Sequence, residues 1–259
     1  MTDTALAAIE AGLATLRDRV GDAATNGVHP GLLVEPADRD GWTPSARLTD
    51  GSRVPELIDT AKQRWRAQAP AAAALAWKSY TYWLALPAMA TYVAARRIPL
   101  LRPDDVLVNY HDRQPFLHVG LRRAAVAVLP SDPLAAAATP GVEVVRDEAA
   151  LLAALRRTLL DAHLDPLLGQ LHARVRVGRR TLLGSVASGV AYAVRLALLG
   201  SAPQETIDTA HTVLTALGVA DLVDLVPTSS GQVHIQRRTC CLAFTLPEPK
   251  ICSGCCLRA

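Results

Sequence analysis

Cys240, Cys241, Cys252, Cys255 and Cys256 are the only cysteines of the chain, and the 239 residues before them hold none. Clustered thiols serve three chemistries with different geometric demands. Structural zinc asks for closed tetrahedral sulfur, normally from two Cys-x-x-Cys knuckles, and the adjacent pair Cys240-Cys241 makes a poor knuckle. An iron-sulfur cluster spreads its ligands over a larger object and accepts other spacings, adjacent cysteines included. A redox dithiol would use Cys252 and Cys255, but these lack the expected βα context. The order of preference is cluster, zinc, dithiol, and spacing alone leaves all three open. Gly254, inside Cys252-Ser-Gly-Cys255, relieves a tight turn and leaves backbone N–H groups free to face sulfur.

Other chemistries find less support. The seven histidines, His29, His111, His118, His163, His172, His211 and His234, form no metal-binding spacing; only His234 is near enough in sequence to hydrogen-bond a sulfur. Asp104-Asp105 and Asp147-Glu148 fall where turns and helix starts want acids. No Gly-x-Gly-x-x-Gly follows a strand and no phosphate loop occurs, so neither a nicotinamide nor an ATP site is expected. Arg237, Arg238, Lys250 and Arg258 surround the cysteines and would offset thiolate charge or attract an anion.

The elements that position this tail are read from periodicity. Leu6, Ile9, Leu13, Leu16 and Val20 mark one face of a helix over 4–20. Residues 21–55, rich in Gly, Pro, Asp and Thr, read as a long irregular connection. A helix is expected from Pro55 through Trp65, then a buried helical region from the alanine run onward. Runs at 106–110, 116–119 and 124–129 read as a small antiparallel meander. Helix returns over 147–173, with Pro166 expected to break it, and over 179–199; Ser201-Ala-Pro-Gln204 opens a last helix that stops at Gly218. Trp77, Tyr80, Tyr82 and Trp83 are candidates to line a pocket, with core packing the more common use of that spacing.

With 259 residues, half apolar and a fifth charged, the chain is long enough for a sizeable core. A net charge of +3 is too balanced for a general nucleic-acid binder. The acidic start of the chain lacks the basic region of a secretory leader. Ser79–Ala95 is charge-free but carries Pro87 and hydroxyls, and reads as a buried helix rather than a membrane span. The expectation is a cytoplasmic, α+β, predominantly helical protein with a small antiparallel sheet in the middle of the chain.

The pattern Cys240-Cys241, ten residues, Cys252, two residues, Cys255 resembles the C-terminal signature of the FhuF-like ferric-siderophore reductases. The likeness extends to Leu75-Ala-Trp77-Lys-Ser-Tyr80, similar to the family's aromatic helix, and to Arg180-Thr-Leu-Leu-Gly184-Ser-Val-Ala-Ser188, similar to its mid-chain small-residue segment. Two positions depart from the pattern: Cys256 follows the motif, so that Cys255 and Cys256 both qualify as a ligand, and Leu183 stands where the family has tryptophan. The resemblance implies one FhuF-like domain over 1–259 with a C-terminal iron-sulfur segment over 237–259. It implies a [2Fe-2S] cluster on Cys240, Cys241, Cys252 and Cys255, an oxidoreductase that passes one electron to siderophore-bound Fe(III), and a ferredoxin-like protein or small reductant as donor. Arg237, Arg238 and Lys250 are the candidate substrate contacts, and the charge of the ferric chelate decides whether they assist. The rivals are a zinc-stapled binding or assembly protein that uses the same cysteines structurally, and a siderophore-binding subunit whose cluster is vestigial.

Overall fold

A computed structural model describes residues 3–137 and 139–258. Met1 and Thr2, at the start of the expected leaderless N-terminus, and Ala259, at the end of the expected cluster segment, lie outside the described residues. Helix takes 56% of the chain and strand 14%, an α+β fold dominated by helix.

Helix α1 (Thr4–Val20) starts where the Asp3 side chain accepts from the Ala5 and Leu6 N–H groups, and it stops at Gly21. The segment expected to be irregular instead supplies β1 (Val28–Leu33), β2 (Thr43–Pro44) and a short helix α2 (Ala46–Thr49) before α3 (Val54–Trp65). Helix α4 (Ala69–Ala95) is 27 residues long, with Pro70 in its first turn, where no N–H partner is needed. Eighteen of its residues are buried, so it is the central element and not an amphipathic one. Pro87 sits within it, and the Thr91 hydroxyl donates to the Pro87 carbonyl at 2.8 Å. Among the described residues no helix is long and apolar enough to cross a membrane.

Strands β3 (Ile98–Pro99), β4 (Val106–Tyr110), β5 (Leu117–Leu121), β6 (Val126–Val128) and β7 (Val142–Val144) follow. They do not form the expected meander. β4 and β5 pair antiparallel, but the free edge of β5 is taken by β1, in parallel, giving the order β1-β5-β4-β2. With that edge filled, β6, buried at all three positions, goes between β3 and β7 in a second sheet.

Helix α5 (Glu148–Leu155) passes through a π-helical stretch, Arg156–Leu164, into α6 (Asp165–Arg174) without a break. The π stretch resets the hydrogen bonding so that Pro166 falls in the first turn of α6, where its missing N–H is harmless. Helix α7 (Arg179–Ala197) packs most extensively on α4. Helix α8 (Pro203–Leu217) begins with Pro203 in its first turn rather than with a Ser201 cap, and ends at left-handed Gly218 (φ 72°). One hydrophobic core runs from α1 to the C-terminal segment. The chain then forms an antiparallel hairpin that periodicity did not suggest, β8 (Val223–Pro227) and β9 (Val233–Arg237), with Val223 opposite Arg237. Strand β9 delivers the cysteines.

Candidate metal centre

Burial alternates along β9: Val233, Ile235 and Arg237 face inward, His234 and Gln236 are half-buried. Strand periodicity therefore puts an arginine at an interior position. Arg237 is 2% exposed. Its Nη2 donates to the Ser185 hydroxyl of α7 at 3.0 Å, while Nε and Nη1 have no hydrogen-bond partner. A buried guanidinium with unused donors carries a desolvation penalty of several kcal/mol unless an anion meets it.

The thiols lie within reach of its charge. Its charge acts on both Cys252 and Cys256. The Cys252–Cys255 turn lies on the end of β9: the Cys255 N–H donates to the Cys252 carbonyl at 3.1 Å, and the Arg237 N–H donates to the Gly254 carbonyl at 2.9 Å. A Cβ at 254 would overlap the Ile235 carbonyl oxygen, so only glycine permits this approach. Gln236 Nε2 adds a bond to the Cys255 carbonyl at 2.9 Å. On the other arm the Leu242 N–H donates to Cys240 Sγ at 3.3 Å, and Leu242 is held left-handed (φ 62°). Such an amide stabilises charge on sulfur.

All five cysteines are free thiols. Cys241 and Cys255 are 4% and 5% exposed, and Cys240, Cys252 and Cys256 are half-buried. Burial pushes the Cys252 thiol up, Cys241 and Cys255 add to the effect, and Lys78 and Arg237 oppose it. Burial also pushes Cys256 up, with Cys240 and Cys255 adding to it. The five sulfurs are thus one electrostatic neighbourhood, with an edge toward solvent. Among the described residues no group of three or more histidine, cysteine or acidic side chains stands ready to hold a metal ion. By chemical type the donors are those a thiolate-held anionic group uses: five thiols, a buried cation with unused N–H groups and a backbone N–H on one sulfur.

The sequence candidates are distributed differently from expectation. Arg237 is interior, so it is not a solvent-side contact. Arg238 is exposed but engaged, with Nε and Nη2 on the two Asp224 carboxylate oxygens at 2.9 and 2.5 Å; that bond holds the Asp224 carboxyl down. Lys250 is exposed. His234 bonds Gln236 at 3.1 Å rather than a sulfur. Trp77 is core, its Nε1 donating to the Leu182 carbonyl at 2.7 Å, and Tyr80 is core beside His163. Tyr82 and Trp83 are half-buried and line a hollow.

Sequence reasoning missed Lys78, one of the charges that acts on Cys252, and Ser185, which accepts from the Arg237 guanidinium; their nearness is tertiary. It also missed that β-pairing brings His111 and His118 side by side, Nε2 to Nδ1 at 3.3 Å. No protein-family model matches the chain, and no curated protein matches it.

Proposed function

We propose that the chain is a cytoplasmic ferric-siderophore reductase of the kind its C-terminal motif resembles, with Cys240, Cys241, Cys252 and Cys255 as ligands of a [2Fe-2S] cluster. The observation that carries this reading is Arg237, a buried cation with two idle donors beside the thiols. Thiolates that hold a cluster provide the missing anion. A cluster bound there supplies one electron at a time to Fe(III), replenished by a ferredoxin-like protein or a small reductant.

The chain's own part is to set charge and access. Arg237 and the Leu242 N–H favour negative charge on sulfur. Gly254 and Gly184 let both cysteine arms dock closely on β9 and α7. The half-buried Cys240 and Cys252 keep one edge near solvent, within reach of a docked chelate. Hard oxygen ligands hold Fe(III) far better than Fe(II), so reduction frees the metal.

The test is anaerobic purification with visible absorption and EPR before and after dithionite, and iron, sulfide and zinc measured on the same sample. About two irons and two sulfides per chain, EPR-silent when oxidised and rhombic when reduced, is the expected result. A colourless protein with about one zinc overturns it in favour of the zinc-stapled tail. A cluster that never reduces a ferric chelate favours the siderophore-binding subunit.

A further inference from the structure

Beside the cysteine tail lies a cleft that the motif does not foretell. One half is a hollow of about 320 Å³ walled by Trp65, Tyr82, Trp83 and Tyr192, with Lys78 among its lining residues. The other, about 480 Å³, is lined by Arg64, Arg66 and Lys250, with Asp112 and Glu248 as its acids. Trp65 lines both, and Arg64 Nη2 donates at 3.0 Å to Gln114, which lines the aromatic half. The two hollows adjoin at Trp65 and together form the cleft. Two lining residues of the aromatic half lie near the cysteine tail: Lys78 acts on Cys252, and the Tyr192 hydroxyl abuts Gly254, inside the Cys252–Cys255 turn.

Several exposed cations elsewhere pair with carboxylates, as in Arg53–Glu56, Arg157–Glu143, Arg179–Asp165 and Lys62–Asp59. Among the described residues, Arg64, Arg66, Lys78 and Lys250 make no such pair. The cleft therefore presents four cations against two carboxylates. Arg64 Nε is buried without a hydrogen-bond partner, a donor that a ligand could use. Arg66 is the left-handed cap (φ 48°) that ends α3, as Arg96 (φ 52°) ends α4. The rings are braced in place: Trp65 lies on Phe116 with centroids 4.7 Å apart, and Tyr82 meets Trp83 edge-on at 4.8 Å.

We propose that this cleft receives the ferric chelate, and that the chelate is an anion with flat aromatic arms, the tris-catecholate class, rather than a neutral trishydroxamate. The inference rests on the reductase reading of the metal centre. Aromatic walls stack on catechol rings, and unpaired cations select a trianion over a neutral complex of the same iron.

Binding is tested without electron transfer, with chelates carrying Ga(III), which matches Fe(III) in charge and size and is not reduced. Calorimetry on the full chain as purified compares a Ga(III) hexadentate tris-catecholamide with a neutral Ga(III) trishydroxamate. The expected result is that the anion binds at least about tenfold more tightly. Lys78→Glu and Lys250→Glu each weaken the anion by about tenfold and leave the neutral chelate unchanged. Circular dichroism confirms that both variants fold. Equal or tighter binding of the neutral chelate, or charge reversals without effect, overturns the proposal. The two readings fail separately: a chain without iron and sulfide that still selects the trianion keeps the cleft and loses the reductase. A cluster-bearing chain that reduces ferric chelates but shows no preference for the trianion does the reverse.

Discussion

Thr239, the residue before the first cysteine, seats its side chain in the gap that Gly184 leaves on α7; a Cβ at 184 would overlap its hydroxyl. This contact ties the small-residue segment of α7 to the cysteine tail. Gly184→Ala is expected to lower stability by about 1–3 kcal/mol through overpacking, and to reduce metal content because the Cys240 arm lifts from α7. Gly169→Ala on α6, where open space surrounds the new methyl, is the control and should raise stability by about 0.5–1 kcal/mol. Thermal unfolding and metal analysis of the two variants measure this; equal behaviour would remove Gly184 from the account.

Arg237→Met separates the metal-free from the metal-loaded protein. Without a bound anion the guanidinium is an uncompensated buried charge, so the substitution should stabilise the metal-free chain by about 1 kcal/mol or more. In the loaded protein it removes the cation beside the sulfurs, which should weaken metal retention and lower the reduction potential. Urea unfolding of both forms and potentiometry of the loaded one give the comparison. A loss of stability in both forms alike would mean that Arg237 acts only through Ser185.

Single cysteine replacements assign the ligands. Cys252→Ser and Cys255→Ser should abolish iron and sulfide, because these residues form the turn docked on β9. Cys256→Ser should keep about two irons per chain. Retention in Cys255→Ser and loss in Cys256→Ser would exchange the two roles.

His163 is fully buried, between Tyr80 and the Leu101 carbonyl that accepts from its Nδ1–H at 2.8 Å. Burial depresses its pKa to about 4. The unfolded chain therefore binds this proton first as the pH falls. The contribution is complete above the ordinary value near 6.5 and is lost progressively from there down toward 4, about 3 kcal/mol in all. His111 and His118, also held down by burial, act in the same direction. Urea denaturation at pH 7 and pH 5 should show the drop, and His163→Asn should flatten it while lowering stability at pH 7. An unchanged slope in that variant would assign the pH dependence to the other histidines.

The sequence by itself determined the helices and the list of sulfurs. Apolar spacing in α1, the largely apolar stretch of α4 and the glycine after α8 are local signals, carried by period and capping. So is the crowding of every cysteine into one tail. What only the tertiary structure decided depends on contacts between distant segments. β1 had no periodicity to announce it, because a short strand at the edge of a sheet takes its meaning from its partner β5. The third run of the expected meander found that edge occupied and moved to another sheet. Arg237 looked like surface charge in a basic stretch, and became interior only because β9 pairs with β8 and turns alternate residues inward. Lys78, 174 positions before Cys252 in the chain, joined the centre because α4 packs beside the tail. Pairing and packing set which charges are buried together, and no spacing along the chain encodes that.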